Sequence, residues 1–163
     1  MNLPAPIARE PNVKLPAKDM AQVRAIVASA DMRANIRQKA LLLTGRNAAA
    51  AAGVVATELR GGLFRIDLSV VVSKYIGETE KNLAAVFAKA AGAVLLFDEA
   101  DALFGKRTGV KDAHNRFAEI NFLLQCIGKH RGLVMLVSKP RPAVPMTLLR
   151  RFSVYWFPPD RFS

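Results

Sequence analysis

Two carboxylates stand at the end of an apolar run in this chain. Ala93-Val94-Leu95-Leu96-Phe97 is followed directly by Asp98 and Glu99. A run of that length and character predicts a buried strand. In parallel sheets, ligands gather at the carboxyl ends of strands. A carboxylate there can hold Mg2+, directly or through water, and a second can orient an attacking water. Hydrolysis assisted by a divalent ion is therefore the chemistry to which Asp98 and Glu99 point. No Cys/His cluster offers another metal centre, and the single cysteine, Cys126, cannot form an internal disulfide.

The elements that would position these carboxylates alternate. Residues 1–17 carry Pro4, Pro6, Pro11 and Pro16, which predicts an extended N-terminal arm. Asp19 to Arg37 reads as a helix, with Ala21, Val23, Ile26, Val27 and Ala30 on its apolar face. Then come a strand at 40–44 (ALLLT), a helix at 48–60, a strand at 63–68 (LFRIDL) and a helix at 78–91 with Leu83, Val86 and Phe87 inward. The strand at 93–97, a helix at 112–129, a strand at 133–137 (LVMLV), a short helix at 146–151 and a last strand at 154–157 complete the pattern. Five apolar strands interleaved with helices predict a parallel α/β sheet covered on both faces.

The composition agrees. A chain of 163 residues is one domain's worth, and 52% hydrophobic with 23% charged residues excludes disorder throughout. The longest apolar stretches, Ala48–Ala56 and Ala91–Phe97, fall short of the roughly 18 residues that span a bilayer, and the first 14 residues contain no apolar signal-peptide core. A soluble, reduced, cytoplasmic domain is the expectation, with no membrane partner. The net charge of +11 makes nucleic acid a candidate partner. The excess is spread, however, and the densest basic stretch, Lys129 to Arg161, carries no nucleic-acid motif.

Three segments in order resemble the ATPase core of the AAA family. FRIDLSVVVSKYIGETEKNLAAVF (64–87) is similar to the segment after the family's first helix, LLFDEADALFGKR (95–107) to its Walker B strand, and LVMLVSKPRPAVPMTLLRRF (133–152) to the sensor-1 strand and the second region of homology. The resemblance runs from about Lys39 to Pro159. It implies a three-layer α/β sandwich of the P-loop NTPase type, with a five-stranded parallel sheet in the order 5-1-4-3-2. It assigns Asp98 to Mg2+ and Glu99 to the hydrolytic water. Arg150 and Arg151 match arginine fingers that reach a neighbouring subunit's nucleotide. Lys74, Tyr75 and Ile76 match a pore loop that grips a substrate polypeptide. Lys139 falls at the sensor-1 position, usually Asn.

The phosphate loop departs from the pattern. A working loop reads G-x-x-x-x-G-K-[ST], in which backbone N–H groups cradle phosphate, Lys reaches it and Ser/Thr holds Mg2+. This chain reads Gly45-Arg46-Asn47, five alanines, then Gly53. Counting forward from Gly45, the Lys and Ser/Thr positions are Ala51 and Ala52; counting back from the 63–68 strand they are Ala48 and Ala49. Neither count finds a lysine or a hydroxyl, and the loop reads as shortened by three residues. Gly45, Arg46, Asn47 and Lys139 remain the candidate contacts to a nucleotide, with Arg46 the charge that could stand in for the lysine. The family's helical lid is expected to be missing, so that 18–163 would be the large subdomain alone.

The sequence thus predicts a degenerate AAA-family ATPase domain, with ATP and Mg2+ as cofactors only if binding survives. It would be an assembly or regulatory subunit, partnered by complete AAA subunits or a protein substrate. The alternatives are a functional ATPase that remodels proteins and a basic nucleic-acid-binding module on the same scaffold.

Overall fold

The computed structural model describes residues 14–33, 40–59, 62–104, 110–139 and 150–157. Helix α1 spans Ala17–Arg33, strand β1 Ala40–Thr44, α2 Ala48–Glu58, β2 Leu63–Asp67, α3 Leu68–Val71 and α4 Glu78–Lys89. Strand β3 spans Val94–Asp98, α5 Asp101–Phe104, α6 Val110–Lys129, β4 Val134–Ser138 and β5 Phe152–Trp156. All pairings are parallel and the sheet order is β2-β3-β4-β1-β5, the expected order read from the other edge.

Alternation along the strands builds two cores. Leu42, Phe64, Ile66, Leu95, Phe97 and Leu136 face the layer that holds α3, α4, α5 and α6. Leu41, Leu43, Val94, Leu96, Met135 and Val137 face the layer of α1 and α2. Strands β1 and β4 are buried along their full length, as expected for parallel strands covered on both faces. The alanines of α2 are small enough to let that helix lie close on the sheet: Ala48, Ala51, Ala52, Val55 and Ala56 are all buried. On the other face Phe87 is half-buried rather than fully inward, packed 5.6 Å from the Phe97 ring and 5.5 Å from His130.

Several boundaries differ from the sequence expectation. Helix α1 begins at Ala17, inside the expected arm, because the Pro16 carbonyl accepts from the N–H groups of Asp19 and Met20 and so opens the first turn. Ala21 on that helix is exposed. Helix α6 begins at Val110, two residues early, and β5 begins at Phe152. The short α3 and α5 were not foreseen. Residues 1–13 of the arm, 34–37 of the first expected helix and 146–149 of the short helix lie outside the described residues, and Arg150 and Arg151 form a turn.

Leu42 is fully buried on the inner strand β1, between β4 and β5. Leu42→Ala is expected to cost about 2–5 kcal/mol, read as a lower midpoint in chemical denaturation with an unchanged slope. A loss under about 1 kcal/mol would contradict the two-sided packing described.

Candidate functional site

The carboxyl edge of the sheet collects most of the sequence-predicted residues. Gly45, Arg46 and Asn47 follow β1, Asp98 and Glu99 close β3, and Lys139 follows β4. The join from β1 to α2 is only these three residues, so α2 starts at Ala48. Gly45 takes φ +118, and a Cβ there would lie 2.1 Å from the Phe157 carbonyl oxygen. The same segment donates its Phe157 N–H to the Thr44 carbonyl at 2.7 Å. The end of β5 thus presses directly on the turn.

Asn47 stands at the cap position of α2, but its side chain does not cap that helix. Its Nδ2 donates instead to Asp19 Oδ2 on α1 at 2.9 Å. Asp19 is wholly buried, and its Oδ1 meets no donor among the described residues. A closed carboxylate therefore lies against the residue that starts α2. Arg46 beside it is exposed.

Farther along the same edge, beyond β4, stands a row of acids. Asp67 and Asp98 are direct partners at the ends of β2 and β3, an arrangement that sets like charges side by side. Each carboxylate is engaged by the chain itself. Asp67 Oδ1 accepts from Ser69 N–H at 2.9 Å and from its hydroxyl at 2.6 Å, which caps α3. Asp98 Oδ1 accepts from Glu99 N–H at 2.9 Å, while Asp98 Oδ2 accepts from Arg65 Nη2 at 2.5 Å. Asp101 Oδ2 accepts from Lys139 N–H at 2.8 Å. Glu99 is exposed and adopts φ +56, a left-handed conformation that a non-glycine residue holds only when its neighbours impose it. The Asp98 bond to its N–H and the bond from Ala102 N–H to its carbonyl, at 3.0 Å, do so. Lys139 serves this edge through its backbone: besides the bond to Asp101, its carbonyl accepts from Thr44 Oγ1 at 3.0 Å. Its side chain is exposed.

The remaining predicted residues lie apart. Lys74, Tyr75 and Ile76 form an exposed loop between α3 and α4, with Tyr75 63% and Ile76 71% exposed and Lys74 Nζ 5.4 Å from the Tyr75 ring centre. Thr79, buried, fixes the loop's base: its hydroxyl accepts from Ser73 N–H at 2.9 Å. Burial first, then the Glu119 carboxylate, push the nearby Glu80 carboxyl above its ordinary value. Arg150 and Arg151 sit exposed before the first residue of β5. In a parallel sheet that is the amino edge, opposite Asp98 and Gly45.

Sequence reasoning missed Arg65, Asp19, Ser69 and Asp101. Only Arg65 left a signal: it is the lone cation in the strand LFRID, two positions before Asp67 and so on the same face.

The sequence pattern of the ATPase family associated with various cellular activities (AAA) matches residues 44–159. The ATPase family gene 2 protein of Schizosaccharomyces pombe is 36% identical over 102 residues, covering 60% of this chain and 13% of that protein. Spastin of Anopheles gambiae is 31% identical over 121 residues, covering 68% and 15% respectively. An uncharacterized AAA family ATPase of Sinorhizobium fredii, y4kL, is 32% identical over 111 residues, covering 65% and 34%. The matched region is thus between 13% and 34% of the length of these relatives.

Gly45→Ala tests the closed turn. The left-handed backbone alone should cost about 1–3 kcal/mol, and the Phe157 carbonyl adds a clash that must be relieved by backbone movement. Thermal denaturation should show a clear drop in midpoint; an unchanged midpoint would refute the close approach.

Proposed function

We propose, from the premise that this chain belongs to the AAA family of ATPases, that it is a degenerate ATPase domain. ATP binding and hydrolysis are its ancestry, weak or lost at present, and its work is that of a cytoplasmic assembly or regulatory subunit. Among the described residues no helix is long and apolar enough to cross a membrane.

The observation that carries this reading is the three-residue join between β1 and α2. A phosphate cradle needs a loop of free N–H groups, a lysine and a hydroxyl. Between Gly45 and Gly53 the chain has neither lysine nor hydroxyl, and Phe157 crowds the turn. Each missing charge-assisted contact removes on the order of 1.5–3 kcal/mol. Asp19, held on Asn47, adds negative charge where a phosphate would bring its own. Asp98, the expected Mg2+ ligand, is engaged by Arg65. These residues do not fit a magnesium–triphosphate group, so the reading assigns no hydrolytic step to Asp98 or Glu99.

Two other features would then outlast the lost site. Arg150 and Arg151, exposed at the opposite edge from Asp98, would act on a neighbouring AAA subunit rather than at home. Tyr75 and Ile76, exposed on their loop, would meet a protein substrate.

In calorimetric titration with Mg–ATP we expect no affinity tighter than about 1 mM, equivalent to only about −4 kcal/mol. Micromolar binding would overturn the reading. Phosphate release should be equal in the native chain and Glu99→Gln; a measurable rate that falls by about 10²-fold in the variant would establish the working ATPase instead.

A complete AAA partner should turn over ATP faster in this chain's presence, since an arginine supplied in trans contributes about 10³–10⁵ in rate. Arg150→Ala with Arg151→Ala should abolish that gain and leave stability within about 0.5 kcal/mol, as exposed changes do. Equal stimulation by both forms would remove the arginines from the account.

A further inference from the structure

The carboxyl edge presents Asp67, Asp98, Glu99 and Asp101 around the ends of β2 and β3, a concentration of negative charge that would ordinarily be settled by a cation from solution. The structure settles much of it from within. Arg65 stands diagonal to Asp98, since Arg65 pairs with Leu96 while Asp67 pairs with Asp98. A side chain as long as arginine spans such a diagonal, and Nη2 reaches Asp98 Oδ2 at 2.5 Å. Asp67, Asp98 and Asp101 all accept bonds from Ser69, Glu99, Arg65 or Lys139. Among the described residues no group of three His, Cys, Asp or Glu side chains is arranged to hold a metal ion.

We propose that Arg65 is the resident cation of this edge: its guanidinium takes at Asp98 the place of a divalent ion, so that the site is charge-balanced without metal and rejects Mg2+ and Mn2+. The proposal deepens the loss of nucleotide binding proposed above and rests on that reading for its biological sense. Mg2+ gives up its waters reluctantly and binds through one or two carboxylates together with substrate phosphates. An ion approaching Asp98 would meet a fixed positive charge, and no phosphate cradle stands beside it to add ligands. Arginine stays protonated at every accessible pH, so the substitution holds across the physiological range. The pair leaves Arg65 44% exposed and Asp98 20% exposed, so it acts by occupying the carboxylate and repelling the second cation, more than by adding stability.

The test is Mn2+ titration of the full, nucleotide-free chain at low salt, read from the loss of the free-ion paramagnetic signal. Native chain and Asp98→Asn should take up Mn2+ alike. Arg65→Ala should bind Mn2+ at least about 10-fold more tightly, because the like charge is gone and Asp98 is released. The double variant Arg65→Ala, Asp98→Asn should lose that gain. Arg65→Gln, neutral and of similar reach, should repeat the gain and guards against an alanine variant that folds poorly. Native uptake that disappears in Asp98→Asn, or Arg65→Ala and Arg65→Gln that both titrate like the native chain, would overturn the proposal. A native Mn2+ site at Asp98 without ATP binding would sink the resident cation and leave the proposed function standing. Micromolar Mg–ATP binding by a chain whose native and Asp98→Asn forms take up Mn2+ alike would do the reverse.

Discussion

The Phe157 carbonyl oxygen occupies the space that any side chain on residue 45 would need. From that contact much of the carboxyl edge follows. Strand β5 is the outer strand beside β1, and its Phe157 N–H returns to Thr44, so the last strand locks the end of the first. The turn between β1 and α2 is three residues, and the helix begins directly after Asn47. Because α2 begins there, its alanines lie flat on the sheet and complete one core. Asn47 is then free to bond across to Asp19 and so tie α1 to the same corner. Glycine is the residue type that meets both demands, a left-handed backbone and the absence of a Cβ.

The second constraint is electrostatic. A parallel sheet brings its strand ends to one edge, and in this chain β2 and β3 both end in aspartate. Two adjacent carboxylates at the ends of neighbouring strands need donors or cations. The chain supplies Ser69 to one and Arg65 to the other, and uses the Lys139 backbone for Asp101. The left-handed Glu99 is part of the same arrangement, its N–H aimed at Asp98. The Asp67, Asp98 and Asp101 carboxylates at this edge all accept bonds from within the chain.

The opposite edge has a different character. Arg150 and Arg151 stand exposed just ahead of Phe152, whose buried ring fixes the start of β5 in the core. Their distance from Asp98 follows from strand direction alone. The exposed Lys74–Ile76 loop is likewise independent of the β1–α2 turn, being held by Thr79 at its own base. Features on separate elements can change separately.

The sequence by itself determined the class of fold, the strand order through its family resemblance, and the absence of lysine and hydroxyl between Gly45 and Gly53. The fold class and the missing residues are properties of periodicity and composition, which a linear chain displays openly; the strand order is what the resemblance implied. Asp98 and Glu99 were legible for the same reason: an apolar run that stops at two acids announces a strand end. The tertiary structure alone decided which partners those acids have. Arg65 lies 33 positions before Asp98, Asp19 lies 28 before Asn47, and Asp101 lies 38 before Lys139. Register and helix placement bring each pair together, and neither is written in local pattern. The closure of the β1–α2 turn is of the same kind, since it depends on where β5 comes to lie, more than a hundred residues later.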